Sequence, residues 1–216
     1  MGSIFNIDSR FMQVLSKIVD LIILNILTLV CCIPIVTIGA AVTALYDATG
    51  RLIRDEGKLW SDYWKAFRSN FKQATVIWLL LLVTGLLIGF SIFFYSYVEM
   101  AGNSILRYVS VMLLAVWCIV VAWVFPLQAK FYNKVKETMR NALYCGIGYL
   151  PRTAMMVVMN MLPWVLLYYA TSWFLQFGCV WIMIWFSLAA YVNCKLLEKP
   201  FERFTGEETV PAETKA

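Results

Sequence analysis

The chain contains no histidine, and only 14% of its 216 residues are charged. The absence of histidine removes the commonest general base, the Ser/His and Cys/His nucleophile pairs, and imidazole ligands for zinc or haem iron. The scarcity of charge excludes a soluble domain of ordinary composition, in which about a quarter of the residues are charged. We therefore predict that the protein is neither an enzyme nor a water-soluble monomer.

Ligand-binding motifs are also missing. The sequence has no glycine-rich phosphate loop of the G-x-x-x-x-G-K-[ST] or G-x-G-x-x-G type, and its six cysteines show neither a C-x-x-C pair nor metal-ligand spacing. We expect free, unreactive cysteines, no cofactor, no metal and no catalytic residue. The net charge of +5 lies in short basic segments that suit membrane lipids, and none of them requires a nucleic acid as its partner.

Apolar residues make up 62% of the chain and gather in long segments. A helix needs roughly 20 apolar residues to cross a hydrocarbon core about 30 Å thick. Four segments meet this requirement, at residues 74–98, 108–128, 153–175 and 177–196, and a fifth runs over residues 18–33 and stops at Pro34. The segment nearest the N-terminus, at residues 18–33, resembles a signal peptide. The later segments already place the chain in the membrane, so we interpret it as a retained span. The predicted fold class is all-α and polytopic.

Two layouts differ in the region after Pro34. Residues 18–39 could form one span, giving five in total, or residues 34–38 could form a turn followed by a short return helix over 39–53, giving six. The six-span layout places 17 of the 18 basic residues and both termini on the cytoplasmic side, as the positive-inside rule favours. Pro34 lacks a backbone donor and Thr37 offers an N-cap hydroxyl, which also favours the turn.

Two segments are predicted to form amphipathic surface helices on the cytoplasmic side. In the first, an aromatic stripe recurs at helical spacing and polar residues occupy the opposite side: Trp60, Tyr63, Trp64, Phe67 and Phe71 against Asp62, Lys65, Arg68, Asn70 and Lys72. The second carries an apolar stripe of Phe131, Val135, Met139 and Ala142. We expect residues 1–200 to form a single helical transmembrane domain and residues 201–216 a short, acidic, disordered cytoplasmic tail.

A few polar residues inside the apolar segments are candidates for function or structure, because ionisable groups in a membrane are costly unless paired or hydrated. Asp20 follows Lys17 by one helical turn, so a local ion pair explains it. Asp47 lies in the predicted return helix, where structural and functional interpretations are equally open. The amides Asn25, Asn160 and Asn193 are expected to form hydrogen bonds between helices. The pair Gly85 and Gly89 predicts a close helix crossing, within one chain or between two copies in a homo-oligomer.

Several motifs resemble the YesL-like family of bacterial integral membrane proteins, a domain-of-unknown-function family. They lie at residues 20–25 (DLIILN), 32–46 (CIPIVTIGAAVTALY), 67–75 (FRSNFKQAT) and 141–143 (NAL), and PIVTIGA is the most specific part. The residues that match the family pattern are Asp20, Asn25, Pro34, Gly39, Tyr46, Asn70 and Gln73.

The resemblance implies a small multi-pass protein of the bacterial plasma membrane, often encoded near carbohydrate ABC transporters, with no established activity. It suggests an accessory or scaffolding component of a carbohydrate uptake system, with membrane lipids and permease subunits of an ABC sugar transporter as partners. A small-solute transporter or channel acting alone is the alternative, since polar groups and broken helices at mid-membrane are how carriers build their sites.

Overall fold

The computed structural model describes residues 4–97, 103–131, 133–169 and 171–205. Within these ranges the chain is helical and contains no strand, which confirms the all-α fold class. The helices are α1 (Ile4–Cys31), α2 (Ile38–Ile53), α3 (Leu59–Tyr97), α4 (Asn103–Lys130), α5 (Val135–Gly148), α6 (Leu150–Tyr169) and α7 (Thr171–Thr205).

Four stretches of helix are long and apolar enough to cross a membrane: Met12–Cys31, Leu59–Tyr97, Ser104–Lys130 and Leu150–Tyr169. They lie in α1, α3, α4 and α6. The two further spans of the six-span layout correspond to α2 and to part of α7, and the count of six stays a prediction. Helix α7 continues through Pro200 to Thr205, so residues 201–205 of the predicted tail are helical, and residues 206–216 lie outside the described ranges.

The chain turns at Pro34, which confirms that α1 and α2 are separate helices. Helix α1 ends at Cys31, a 3₁₀ turn covers Ile35–Thr37, and α2 begins at Ile38. The predicted role of Thr37 is wrong, because its hydroxyl makes no capping bond to α2. It donates instead to the carbonyls of Cys31 and Pro34, at 2.5 and 2.7 Å, and so satisfies acceptors left at the end of α1.

Helix α2 is the centre of the bundle. It packs against α1, α3, α4 and α7. Nine of its 16 residues are buried, most of them small: Gly39, Ala40, Ala41, Thr43, Ala44, Leu45, Tyr46, Ala48 and Thr49. Small side chains allow the neighbouring helices to approach closely, and dispersion contacts between them then stabilise the packing.

The closest approach to α2 is made by α3 at Gly39. A Cβ atom built on Gly39 would overlap the carbonyl oxygen of Ala74 and would lie 2.5 Å from Cβ of Trp78. The Trp78 indole also donates to the carbonyl of Ile35, at 2.8 Å, and fastens the turn before α2 to α3. Only glycine fits at this crossing without moving the two backbones apart.

Helix α3 differs from the predicted surface helix followed by a separate span. It runs unbroken over 39 residues, about 58 Å, and buries one continuous stripe of Tyr63, Ala66, Asn70, Ala74, Ile77 and Leu81. The stripe turns Asn70 towards the bundle together with Tyr63, so the predicted place of Asn70 on the opposite side from the aromatic residues is wrong, whereas Trp60 and Phe71 are exposed. Packing along the whole helix selects the buried face, and the local aromatic pattern does not.

Helix α5 follows its predicted pattern more closely. It buries Thr138, Ala142, Cys145 and Gly146 against the bundle, mainly against α4. The carboxylate of Glu137 accepts a bond from the Lys134 backbone N–H, at 3.2 Å, which fixes the start of the helix. Helix α5 and the first turns of α3 lie at the same end of the bundle, where α2 and α4 end and α3 and α6 begin. We call this the polar end.

Of the two glycines in α3, Gly85 and Gly89, only Gly85 lies at a contact with another helix. Gly85 faces the Trp117 ring of α4, and a Cβ there would lie 2.8 Å from Cζ2 of that ring. Gly89 has nothing within 4 Å. The predicted crossing therefore occurs within one chain, at Gly85, and it seats an aromatic ring.

Replacing Gly39 by alanine should destabilise the bundle, whereas Gly89→Ala, the same change at an open site, should not. The added methyl group at Gly39 forces α2 and α3 apart, which costs about 1–3 kcal/mol as overpacking does in other cores. Thermal unfolding of the two purified variants in detergent measures the difference. Equal melting temperatures would contradict the close α2–α3 crossing.

Candidate functional site

Three groups of buried polar side chains connect the helices inside the bundle. The first joins α1 to α7 through Asn25 and Ser187, both of them fully buried. The amide oxygen of Asn25 accepts from the backbone N–H of Ser187 at 3.1 Å and from its hydroxyl at 3.2 Å. The predicted interhelical role of Asn25 is confirmed.

The second group joins α2, α6 and α7. The amide nitrogen of Asn193 donates to the phenol oxygen of Tyr46 at 3.0 Å and to the amide oxygen of Asn160 at 3.4 Å. This confirms the predicted interhelical bonding of Asn160 and Asn193, and it gives Tyr46 a structural role. The backbone carbonyl of Tyr46 also receives the Cys194 thiol, at 3.7 Å.

The third group joins α3, α4 and α5 around Gln128. The amide nitrogen of Gln128 donates to the side-chain oxygens of Asn70, at 3.3 Å, and Gln73, at 2.8 Å. Its amide oxygen accepts from the Thr138 hydroxyl at 3.1 Å. Asn70 and Gln73 were predicted from the family pattern, whereas Gln128 and Thr138 were missed. The signal available for Gln128 was a lone amide at the end of an apolar segment.

A cavity of about 170 Å³ lies between α2, α4 and α7 at the polar end, and we call it the end cavity. Its four charged lining residues are Asp47 of α2, Arg54 directly after α2, Lys130 of α4 and Glu198 of α7. Tyr46 lies at its inner limit, where α2 continues into buried alanines. The polar residue that the sequence left open, Asp47, therefore lines a cavity.

Asp47 is paired within its own helix. Its carboxylate lies 3.0 Å from Nε of Arg51, one turn later, and its side chain is 18% exposed. Arg54 makes a similar pair with Glu56, at 3.0 Å. Both pairs are local and partly hydrated, so each stabilises the fold by no more than about 1 kcal/mol.

The remaining residues that matched the pattern of the resemblance are Pro34, Gly39 and Asp20. Pro34 and Gly39 build the α1–α2 turn and the α2–α3 crossing described above. Asp20 lies partly exposed on α1. Lys17 does not pair with it but with Asp55, whose carboxylate is 3.0 Å away beyond the end of α2. The predicted Lys17–Asp20 pair is thus wrong, because the turn after α2 brings a second acid within reach of the same lysine.

The cysteines in the described part of the chain are free: Cys31, Cys32, Cys118, Cys145 and Cys194. Burial raises the pKa of the Cys145 thiol on α5 above its ordinary value, so this thiol stays protonated and a weak nucleophile. Cys179 lies outside the described side chains. Among the described residues, no group of three or more Cys, Asp or Glu side chains lies close enough together to hold a metal ion.

One comparison with known proteins gives a match. The family model described as "Protein of unknown function, DUF624" matches residues 21–92, about one third of the chain. The match runs from α1 through α2 and most of α3, so it includes the turn at Pro34, Asp47 of the end cavity, and the Asn70 and Gln73 amides. No curated protein and no solved structure matches the chain.

Replacing Gln128 by leucine should lower the melting temperature markedly. The change leaves the side-chain oxygens of Asn70 and Gln73 without their donor, and each buried unsatisfied group costs about 1–3 kcal/mol. The Thr138 hydroxyl loses one acceptor but keeps the Lys134 carbonyl, at 3.3 Å. The matched control is Gln13→Leu on the exposed side of α1, which should change stability little. Equal effects of the two variants on thermal unfolding in detergent would contradict the network.

Proposed function

We propose that this protein is a multi-pass protein of the bacterial plasma membrane that acts as an accessory or scaffolding component of a carbohydrate uptake system. In this proposal the protein crosses the membrane six times, and both termini and the polar end face the cytoplasm. The clustering of basic residues at that end supports the orientation. The link to carbohydrate uptake is supported by the family resemblance alone.

The observation that carries a docking role is the length of α3. The helix is about 58 Å long, whereas the hydrocarbon core is about 30 Å thick, so its first turns extend beyond the span as a rigid continuation of it. These turns present Trp60, which is 60% exposed, beside Lys65 and Arg68. Aromatic and arginine side chains at an exposed site are typical of protein contact surfaces.

The deeper aromatic residues of the same segment belong to the fold. Trp64 and Phe67 are half-buried and pack on the core, with their ring centroids 5.7 Å apart. Replacing them would disturb the bundle, so they cannot report on docking. We therefore restrict the docking surface to Trp60, Lys65 and Arg68.

A variant that combines Trp60→Ser, Lys65→Gln and Arg68→Gln should fold normally and lose its partner. Affinity purification from native membranes in mild detergent is expected to recover ABC permease subunits with the wild-type protein and at least about tenfold less with the variant. The matched control changes Tyr144→Ser, Lys136→Gln and Arg140→Gln on the exposed face of α5, and it should retain the partner. The docking surface is wrong if both variants retain the permease, and the scaffold role is wrong if no permease accompanies the wild type.

A small-solute transporter is a second candidate function, favoured by the position of Asp47 in the end cavity. If solute passes through this cavity, Asp47→Asn should abolish flux in reconstituted vesicles and leave the melting temperature nearly unchanged, since the amide keeps the shape but loses the charge. Asp55→Asn, which alters an exposed acid paired with Lys17, is the control and should leave flux intact. A wild-type protein that is folded yet transports none of a panel of sugars and ions argues against this candidate.

A further inference from the structure

The end cavity has the size of a small ligand. Its volume of about 170 Å³ is close to that of cavities that take up a molecule the size of benzene, at about 150 Å³. Such a space holds a group of about six to eight non-hydrogen atoms. Drug-sized ligands occupy pockets of about 300 Å³ or more, so a large solute is excluded.

The charges that line the cavity restrict the ligand further. The negative charge of Asp47 is paired with Arg51, and the positive charge of Arg54 is paired with Glu56. Lys130 and Glu198 remain, on α4 and α7, and neither forms an ion pair with another described residue. The cavity therefore offers one available cation and one available anion on different walls.

This arrangement disfavours ligands of a single charge. An anion attracted to Lys130 would also approach the carboxylate of Glu198, and a cation attracted to Glu198 would also approach the ammonium group of Lys130. A group that carries both charges, separated by a short linker, satisfies both walls. Apolar side chains of Ile53, Pro126 and Phe201 complete the lining and suit an aliphatic linker.

We propose that the end cavity binds a zwitterion, with its ammonium group at Glu198 and its anionic group at Lys130. The phosphoethanolamine headgroup of a membrane phospholipid has this chemistry and this size. Lys130 is the last residue of a helix long and apolar enough to cross the membrane, which places the cavity at the depth of lipid headgroups. A free zwitterionic solute shares the chemistry and is the other source of such a group.

Binding is measured on the purified full-length protein in non-ionic detergent, with short-chain phosphatidylethanolamine as the first probe. Short-chain phosphatidylglycerol tests a purely anionic headgroup, and O-phosphoethanolamine tests the soluble zwitterion. We expect phosphatidylethanolamine to raise the melting temperature, because a ligand that binds only the folded state stabilises it. Phosphatidylglycerol should bind at least about tenfold more weakly.

Variants at the two available charges test the assignment of the walls. Lys130→Gln and Glu198→Gln should each weaken phosphatidylethanolamine binding by about tenfold or more. Lys136→Gln and Lys199→Gln alter exposed lysines outside the cavity lining and should leave binding within about twofold of wild type. Exchanging the charges in the double variant Lys130→Glu, Glu198→Lys should restore binding of O-phosphoethanolamine, since the free zwitterion can reverse its orientation, but not of the lipid, whose phosphate is tethered to glycerol.

Each outcome decides for or against the proposal. Equal binding of phosphatidylglycerol, or no loss in either single variant of folded protein, overturns it in favour of a general basic surface. Absence of binding by both zwitterionic probes also overturns it. Saturable binding of O-phosphoethanolamine without binding of the lipid supports the zwitterion site and overturns the lipid as its source. None of these measurements depends on a permease partner or on solute flux, so the proposed function stands or fails separately.

Discussion

The rest of the structure depends on the close packing of four helices around the short central helix α2. Its 16 residues extend about 24 Å, less than the thickness of a hydrocarbon core of about 30 Å. If α2 lies in the membrane as the six-span layout predicts, its backbone groups within the hydrocarbon core need protein partners, because lipid offers no hydrogen bonds. Four helices surround α2, and the small residues of α2 are what allow them to come close. Gly39 shows how closely α2 and α3 pack, since even a methyl group there would overlap the backbone of α3.

The buried amides specify which helices pack together more than they stabilise the bundle. Interhelical hydrogen bonds in membranes average about 0.6 kcal/mol, since the separated helices also find polar partners. The value of these bonds lies in selectivity, because Asn25, Asn193 and Gln128 each require a partner on a particular neighbouring helix. Sliding or rotating one helix would leave several buried groups unsatisfied at once. A bundle of otherwise interchangeable apolar faces thereby acquires a single arrangement.

The sequence predicts features that depend on local chemistry and fails where distant contacts decide. Hydropathy locates the apolar segments, and Pro34 places the turn, because both effects act within a few residues. The boundary between the last two predicted segments is wrong, since the segment 153–175 includes the first residues of α7, which begins at Thr171. The face of α3 on which Asn70 lies depends on contact with Gln128 58 residues later, which no local pattern contains. Lys17 likewise pairs with Asp55 because folding brings the end of α2 beside the middle of α1, whereas helical spacing alone points to Asp20. The end cavity could not be foreseen for the same reason, since it is a gap between three helices that are far apart in the sequence.

The last turn of α4 connects the end cavity with the polar network. Pro126 and Lys130 line the cavity, and Gln128 between them holds Asn70 and Gln73 of α3 and Thr138 of α5. Proline within a helix removes one backbone hydrogen bond, so this turn is held less by its own helix and more by these side-chain contacts. The contacts reach the part of α3 that leads to the exposed Trp60, Lys65 and Arg68. Any displacement of the α4 turn by a ligand in the cavity would therefore strain the bonds that orient the extended end of α3.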